Sequence, residues 1–430
     1  MAALPFDLLT NAAPLLKRYY DDRRVYNMAF KNRPLYAWMP KKTGVVGGSP
    51  ASTPGHGYQM PITIDDIPGE SATFVEAVDA RDGDSHEVWS LNRVKRYATA
   101  TLDWETIRAM KNDMGAFMRA LTPRIDSAIN QVANTCAAMV YGDGTGARGV
   151  STAITAGAAG TVVLTSATEA RRFSLRRTCV LVEEGDAGGS VLTGSAKITA
   201  INLETFTLTF DTVPAGWATA GTAGAGNFLF VIGDAADGAS TSLCQDGLGS
   251  WGPLPSSVSA GQFFKGVERA KYKERLLMLD YDATGALPAG GLSEVVRTAA
   301  AKVQANEGSP DALFLGPMKW AALETNLASQ SRYEMMMGSD AKTGFDSIVI
   351  NAGGGKINVV SDPWCPEDRG YLLQKETWEF FSIDRFPDFV SDDGNKLHKL
   401  ERADEVEFRL GGYYNVACRA PGHNMTIRFA

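Results

Sequence analysis

Three glycine-rich stretches and one pair of adjacent carboxylates have the residue types and spacing that could do chemistry. Gly144-Thr-Gly146-Ala-Arg-Gly149 and Gly247-Leu-Gly249-Ser-Trp-Gly252 both match the GxGxxG pattern that cradles a dinucleotide pyrophosphate. That chemistry needs the pattern to follow a strand and open a helix, whose first amides hold the phosphate. The first match follows a helical segment and leads into Val150-Ser-Thr, and the second runs into Pro253-Leu-Pro255, so both read as ordinary loops. Gly353-Gly-Gly-Lys356 resembles part of a phosphate-binding P-loop. Ile350 stands where its first glycine belongs, however, and Ile357 where Ser or Thr must reach magnesium. Asp65-Asp66 with His86 would suit a hydrolase, yet adjacent strand residues point to opposite faces. No GxSxG, HExxH or CxxC occurs. The five cysteines (Cys136, Cys179, Cys244, Cys365, Cys418) and four histidines (His56, His86, His398, His423) are scattered. Buried reduced thiols are the expectation, with no metal, no cofactor and no catalysis.

The elements around these residues change texture along the chain. Residues 1–56 read as an extended arm broken by prolines and glycines, with a short helix around Pro14–Tyr20. Residues 57–101 read as strands at Tyr58–Ile64, Ser71–Val78 and Glu87–Thr101. Apolar residues then recur every three or four positions from Ile107 to Met139, predicting a helix from Trp104 to Tyr141 with Asp103 as its N-cap. Pro123 removes one hydrogen bond within it, but the stripe keeps its register, which favours one bent helix over two. At 1.5 Å per residue the span is about 57 Å, too long for one compact core. Residues 150–240 carry short β runs separated by Gly, Ala and Thr, read as an inserted small β-barrel or sandwich. From 241 the texture is mixed α+β, with helices at Ser293–Asn306 and Pro317–Leu327. Strands follow at Ala312–Leu315, Phe345–Ile350, Lys356–Val360, Tyr371–Gln374, Trp378–Phe381, Val406–Leu410, Tyr413–Arg419 and Met425–Phe429.

Composition narrows the class. The 430 residues carry 42 basic and 49 acidic side chains, 44% are hydrophobic and 21% charged, which fits a folded chain of several units rather than a disordered one. No apolar run reaches the ~18 residues of a membrane span. The N-terminal residues lack a signal-peptide pattern, so a protein made and used without export is expected. No basic stripe interleaved with aromatics marks a nucleic-acid reader.

Charge is unevenly placed. Residues 17–42 hold eight basic residues (Lys17, Arg18, Arg23, Arg24, Lys31, Arg33, Lys41, Lys42) against Asp21 and Asp22. Residues 57–91 hold eight acidic ones (Asp65, Asp66, Glu70, Glu76, Asp79, Asp82, Asp84, Glu87) against Arg81 and no lysine. Opposite charge on two projecting segments suits contacts between neighbouring chains, the acidic loop meeting basic arms or the helix face bearing Arg108, Lys111 and Arg119. Two solvated charge runs would look the same.

Five stretches carry a resemblance. Arg93-Val-Lys-Arg-Tyr-Ala-Thr-Ala-Thr-Leu-Asp-Trp-Glu105 resembles the strand leading into the spine helix of tailed-bacteriophage major capsid proteins. Asp126-Ser-Ala-Ile129 and Tyr141-Gly-Asp-Gly-Thr-Gly-Ala-Arg-Gly149 are similar to that helix's end and its glycine turn, with Arg148 where the family commonly has proline. Pro310-Asp-Ala-Leu-Phe-Leu-Gly-Pro-Met-Lys-Trp-Ala-Ala-Leu323 and Asp362-Pro-Trp-Cys-Pro-Glu-Asp-Arg-Gly-Tyr371 resemble later steps of the same family. The resemblance covers most of the chain outside 150–240. It implies the α+β capsid fold named after the Hong Kong 97 phage: an N-terminal arm (1–56), an E-loop (57–101), a P domain whose spine helix and glycine turn fill 102–149, and an A domain with the remaining P domain (241–430). It further implies a virion shell of hexamers and pentamers around double-stranded DNA, assembled in the host cytoplasm. Implied partners are a scaffolding protein, a portal and a cement or decoration protein, with no membrane. An encapsulin-like compartment is the nearest alternative. Some members cross-link through an E-loop lysine, and the lysine-free 57–91 segment points to a non-covalent shell.

Overall fold

The computed structural model describes residues 33–44, 57–65, 69–80, 85–103, 114–183, 191–219, 226–235, 243–330, 348–352, 355–390, 398–399 and 404–429. Its organising strand is Val94–Asp103, whose β-branched and aromatic residues pair antiparallel along Glu405–Cys418 for ten residues. Trp378–Ser382 pairs the other side of Glu405–Cys418, and Lys41–Lys42 adds to it in parallel. Glu405–Cys418 is one strand, where the sequence predicted two. Gly411 and Gly412 do not break it. A side chain at Gly411 would lie 2.5 Å from the Tyr97 ring and 2.6 Å from the Arg96 carbonyl, so glycine there permits close strand approach.

The long helix is Met114–Val140, about 40 Å, and runs through Pro123 as one element. Its apolar stripe widens toward the C-terminus. Val132, Ala133 and Thr135 through Tyr141 are all buried, so the last two turns are sunk into the body on every side. Asp103, expected to cap this helix, is the last residue of a strand, opposite Glu405, and the turn it would cap lies outside the described residues. The expected first turns, with Arg108 and Lys111, lie outside the described residues.

The helix end explains one glycine motif. Gly247 begins a four-residue helix, Leu248–Trp251, and a side chain at Gly247 would sit 2.5 Å from the carbonyls of Met139, Val140 and Gly142. The Gly249 amide donates to the Gly142 carbonyl at 3.0 Å. These glycines let two backbones touch, and the Gly249 amide satisfies a carbonyl just past the helix end. In the other motif Gly144 and Gly146 have φ of +88° and +95°, a left-handed turn between the helix and strand Gly149–Thr155.

Residues 149–231 form a closed barrel of six strands in the order Thr207–Phe210, Thr161–Leu164, Gly149–Thr155, Phe228–Val231, Thr178–Val182, Ala196–Asn202. Inward residues Val162, Leu164, Leu181, Ile198, Leu208, Phe210 and Leu229 fill it together with Phe173 and Trp217. Gly149–Thr155 lies outside the strands read from the sequence, although Val150, Thr152, Ile154 and Thr155 are β-branched. The short helices Ala167–Arg171 and Ala215–Thr219 were also missed.

The second six-stranded sheet has the order Leu279–Ala283, Met425–Phe429, Arg369–Leu373, Ala312–Leu315, Gly355–Ser361, Ile348–Ala352. Its central strand Ala312–Leu315 is buried at every residue. Helix Gly291–Ala305 lays Leu292, Val295, Val296, Ala299, Ala300 and Val303 against it, and helix Pro317–Gln330 packs beside.

Two expectations near the N-terminus are corrected. The arm is not extended throughout: Pro34–Trp38 is helical, and Leu35, Tyr36 and Met39 are buried in the main core. Tyr36 meets Phe380 edge-on at 5.4 Å, so an apolar cluster outweighs the proline pattern here. Ser71–Val78 is not a strand; Phe74–Asp79 is helical. The hairpin itself pairs Gly57–Asp65 with Ser85–Asn92, and the strand predicted over Glu87–Thr101 divides at Arg93.

Candidate functional site

The residues singled out from sequence for contacts between chains fall into three groups. Lys41, Lys42, Glu70 and Asp79 are described and exposed. Asp65 and Arg119 are placed only by backbone, at the end of a hairpin strand and within the long helix. Arg18, Arg23, Arg24, Asp66, Asp82, Asp84, Arg108 and Lys111 lie outside the described residues.

Among the described residues, no basic side chain of 17–42 pairs with an acidic side chain of 57–91 within one chain. Lys42 donates to the Tyr58 hydroxyl at 2.9 Å, at the root of the hairpin, and this hydrogen bond raises its pKa. Lys41 lies over the Tyr36 ring at 4.4 Å. At the other end of the hairpin, Glu70, Glu76 and Asp79 stand in solvent with Phe74 83% and Val75 66% exposed. This exposed apolar pair opens a helix of six residues, Phe74–Asp79, which the sequence reading missed by treating these residues as a strand. Glu87 is engaged within the chain, 3.8 Å from Lys271.

Of the residues considered for a hydrolase, Asp66 and the Asp65 side chain lie outside the described residues. His86 faces Thr63 across the hairpin, Nδ1 to Oγ1 at 3.1 Å. All five cysteines are buried and unbridged. Burial pushes the Cys136 and Cys244 thiols up to about 11, where they hold their protons at neutral pH and are poor nucleophiles. Among the described residues no three His, Cys, Asp or Glu side chains group to hold a metal, and no helix is long and apolar enough to cross a membrane.

Two buried carboxylates do structural work. Asp362 accepts from the Leu35 amide at 3.2 Å and from the Tyr141 hydroxyl at 2.9 Å, joining the arm to the end of the long helix. Burial raises its pKa despite these donors. Asp234 lies between two guanidiniums, Arg96 at 2.6 Å and Arg148 at 2.8 Å. Burial works to raise its pKa, but the two cations outweigh that and hold it below the usual carboxylate range. Arg148 is thus 1% exposed and paired at the root of the barrel.

Long helix, hairpin and two mixed sheets together fit the α+β capsid fold named after the Hong Kong 97 phage, here with a barrel inserted. Among solved structures, the chain aligns with a chain of the cyanophage A-1(L) capsid at a TM-score of 0.52 and 11% identity, covering 96% of this chain and 97% of that one. It also aligns with the capsid of a native GTA particle (TM-score 0.48, 8% identity, 96% of each chain). A third match is the holo encapsulin complex of Synechococcus elongatus PCC 7942 (TM-score 0.43, 7% identity, 100% of this chain and 96% of that one). The fold assignment rests on the first. No family model and no curated protein matches the sequence.

Proposed function

We propose that this chain is the major capsid protein of a tailed bacteriophage, a non-catalytic subunit that assembles into an icosahedral shell of hexamers and pentamers around double-stranded DNA. The observation that carries the reading is the fold likeness to a phage capsid chain over nearly the whole of both chains. Physical features of this chain support it. The half-exposed stretch of the long helix, residues 124–131, leaves a rigid face outside the core. The hairpin leads into an acidic loop with exposed Phe74 and Val75, and the basic run in 17–42 offers the opposite charge. A projecting surface that fits a different patch on the next copy makes a head-to-tail contact, and such contacts close into rings when the rotation allows.

In this reading the acidic loop meets basic arms or basic helix faces of adjacent chains, and residues 150–240 decorate the shell. A scaffolding protein, a portal and a cement or decoration protein complete the particle, which is built in the host cytoplasm. Replacing Asp79, Asp82 and Asp84 together by lysine is expected to prevent shell formation while leaving the monomer's melting unchanged; normal shells from that variant would remove the contact. With no lysine in 57–91, subunits should run as single bands on a denaturing gel, and a ladder would contradict a non-covalent shell. Particles purified from their natural source should hold nuclease-resistant double-stranded DNA. Protein cargo in its place would overturn the genome-shell reading in favour of an encapsulin-like compartment.

A further inference from the structure

The barrel joins the rest of the molecule at its two ends, and one carboxylate sits where they meet. Arg148 immediately precedes the first barrel strand, Gly149–Thr155, and Asp234 follows the last, Phe228–Val231. The Arg148 Nη2 to Asp234 Oδ2 distance is 2.8 Å. The Arg148 amide donates to the Leu229 carbonyl at 3.0 Å, and its Nη1 to the Arg172 carbonyl at 3.0 Å. These bonds hold the barrel to itself. The other carboxylate oxygen, Oδ1, is 2.6 Å from Nη1 of Arg96, whose Nη2 lies 3.4 Å from the Cys244 sulfur. Arg96 belongs to the body, on strand Val94–Asp103 opposite Gly412. One oxygen of Asp234 therefore serves the barrel and the other serves the body.

The three side chains are 13%, 8% and 1% exposed for Arg96, Asp234 and Arg148. Charges taken out of water are tolerated only in an arrangement that pairs them, so the cluster penalises every orientation but one. Beside it the two parts do not pack continuously. An open cleft of about 670 Å³ lies between Glu169, Arg172 and Phe228 on the barrel side and Lys319, Asp368 and Arg369 on the body side. Two chain crossings beside an open cleft leave a unit free to swing unless something fixes it.

We propose that Asp234 is a latch that mounts the barrel in one orientation on the body, and that unpairing it on the Arg96 side frees the barrel to swing without unfolding either part. Because all five native cysteines are buried, spin labels can be directed to Ala200→Cys on the barrel and Ala322→Cys on helix Pro317–Gln330, both exposed positions. Labelled chains diluted into unlabelled ones report the distance within a chain by electron–electron resonance. The unaltered chain should give a single narrow distribution, and Arg96→Met one at least twice as wide. Hydrogen exchange in the cores around Leu229 and Leu313 should stay unchanged in that variant. A distribution as narrow as the unaltered chain's would overturn the latch, and so would loss of exchange protection across either core, which would make the cluster a determinant of folding. Asp234→Asn keeps the shape and removes the charge, and it should broaden the distribution as well. A narrow distribution in that folded variant would equally overturn the proposal.

Discussion

At the root of the barrel a single carboxylate is buried between two guanidiniums that come from different parts of the chain. In the loop beyond the hairpin, residues 69–80 carry three carboxylates in solvent, no basic side chain, and two exposed apolar residues at the centre. The root's charges are spent inside the molecule, where low dielectric makes each pairing strong and each mispairing costly. The loop's charges face outward, where salt screens them and their use depends on a partner. The first arrangement fixes geometry within a subunit; the second suits recognition between subunits.

The largest expected effect falls on the root. Arg148→Met removes one partner of a buried pair and should cost about 3–5 kcal/mol of stability in chemical denaturation. A loss under 1 kcal/mol would mean that solvent reaches Asp234 freely. Acid should act next. Because the folded-state pKa of Asp234 is depressed, its pairing contributes fully above the ordinary Asp range, near pH 4. That contribution is lost as pH falls further, through the depressed value. Asp362 runs the other way: its raised pKa means that acidification toward the ordinary range favours the folded state. Melting temperature should therefore rise slightly on mild acidification and fall steeply below pH 4. Asp234→Asn should flatten the steep limb, and an unchanged limb would assign it to other carboxylates.

The smallest effect on the isolated subunit belongs to the loop. Glu70→Gln with Asp79→Asn should change monomer stability by no more than about 0.5 kcal/mol, since neither side chain is buried. The same pair should lower the rate of assembly and weaken its dependence on salt. Phe74→Ser, likewise neutral for the monomer, should slow assembly at every ionic strength. A melting shift above 1 kcal/mol from any of these changes would place the loop within the subunit's own core.

Much of the frame was legible because it is local. Pro317 opens a helix at the residue where proline fits, and Ala312–Leu315 reads as a buried strand from four apolar residues in a row. The terminal strand Met425–Phe429 is likewise in the sheet. What was not legible is set by distance or by weak signal. Arg96 and Asp234 are 138 residues apart, and neither has a local pattern that announces the other. Gly149–Thr155 is short and follows directly on a glycine turn, and its pairing with neighbours in the barrel is what shows it as a strand. Arg148 was visible as a departure from a familiar proline, but its reason lies 86 residues on, at Asp234. The exposure of Phe74 and Val75 was hidden by reading them as a strand, which would have buried one face.

The central claim is that this chain builds a shell from copies of itself. The most direct measurement is to express the full chain alone and follow it by size-exclusion chromatography and negative-stain electron microscopy. Closed particles of megadalton mass and uniform diameter are the predicted result. A chain that stays monomeric at every concentration and ionic strength, also when co-expressed with a scaffolding protein, would contradict it.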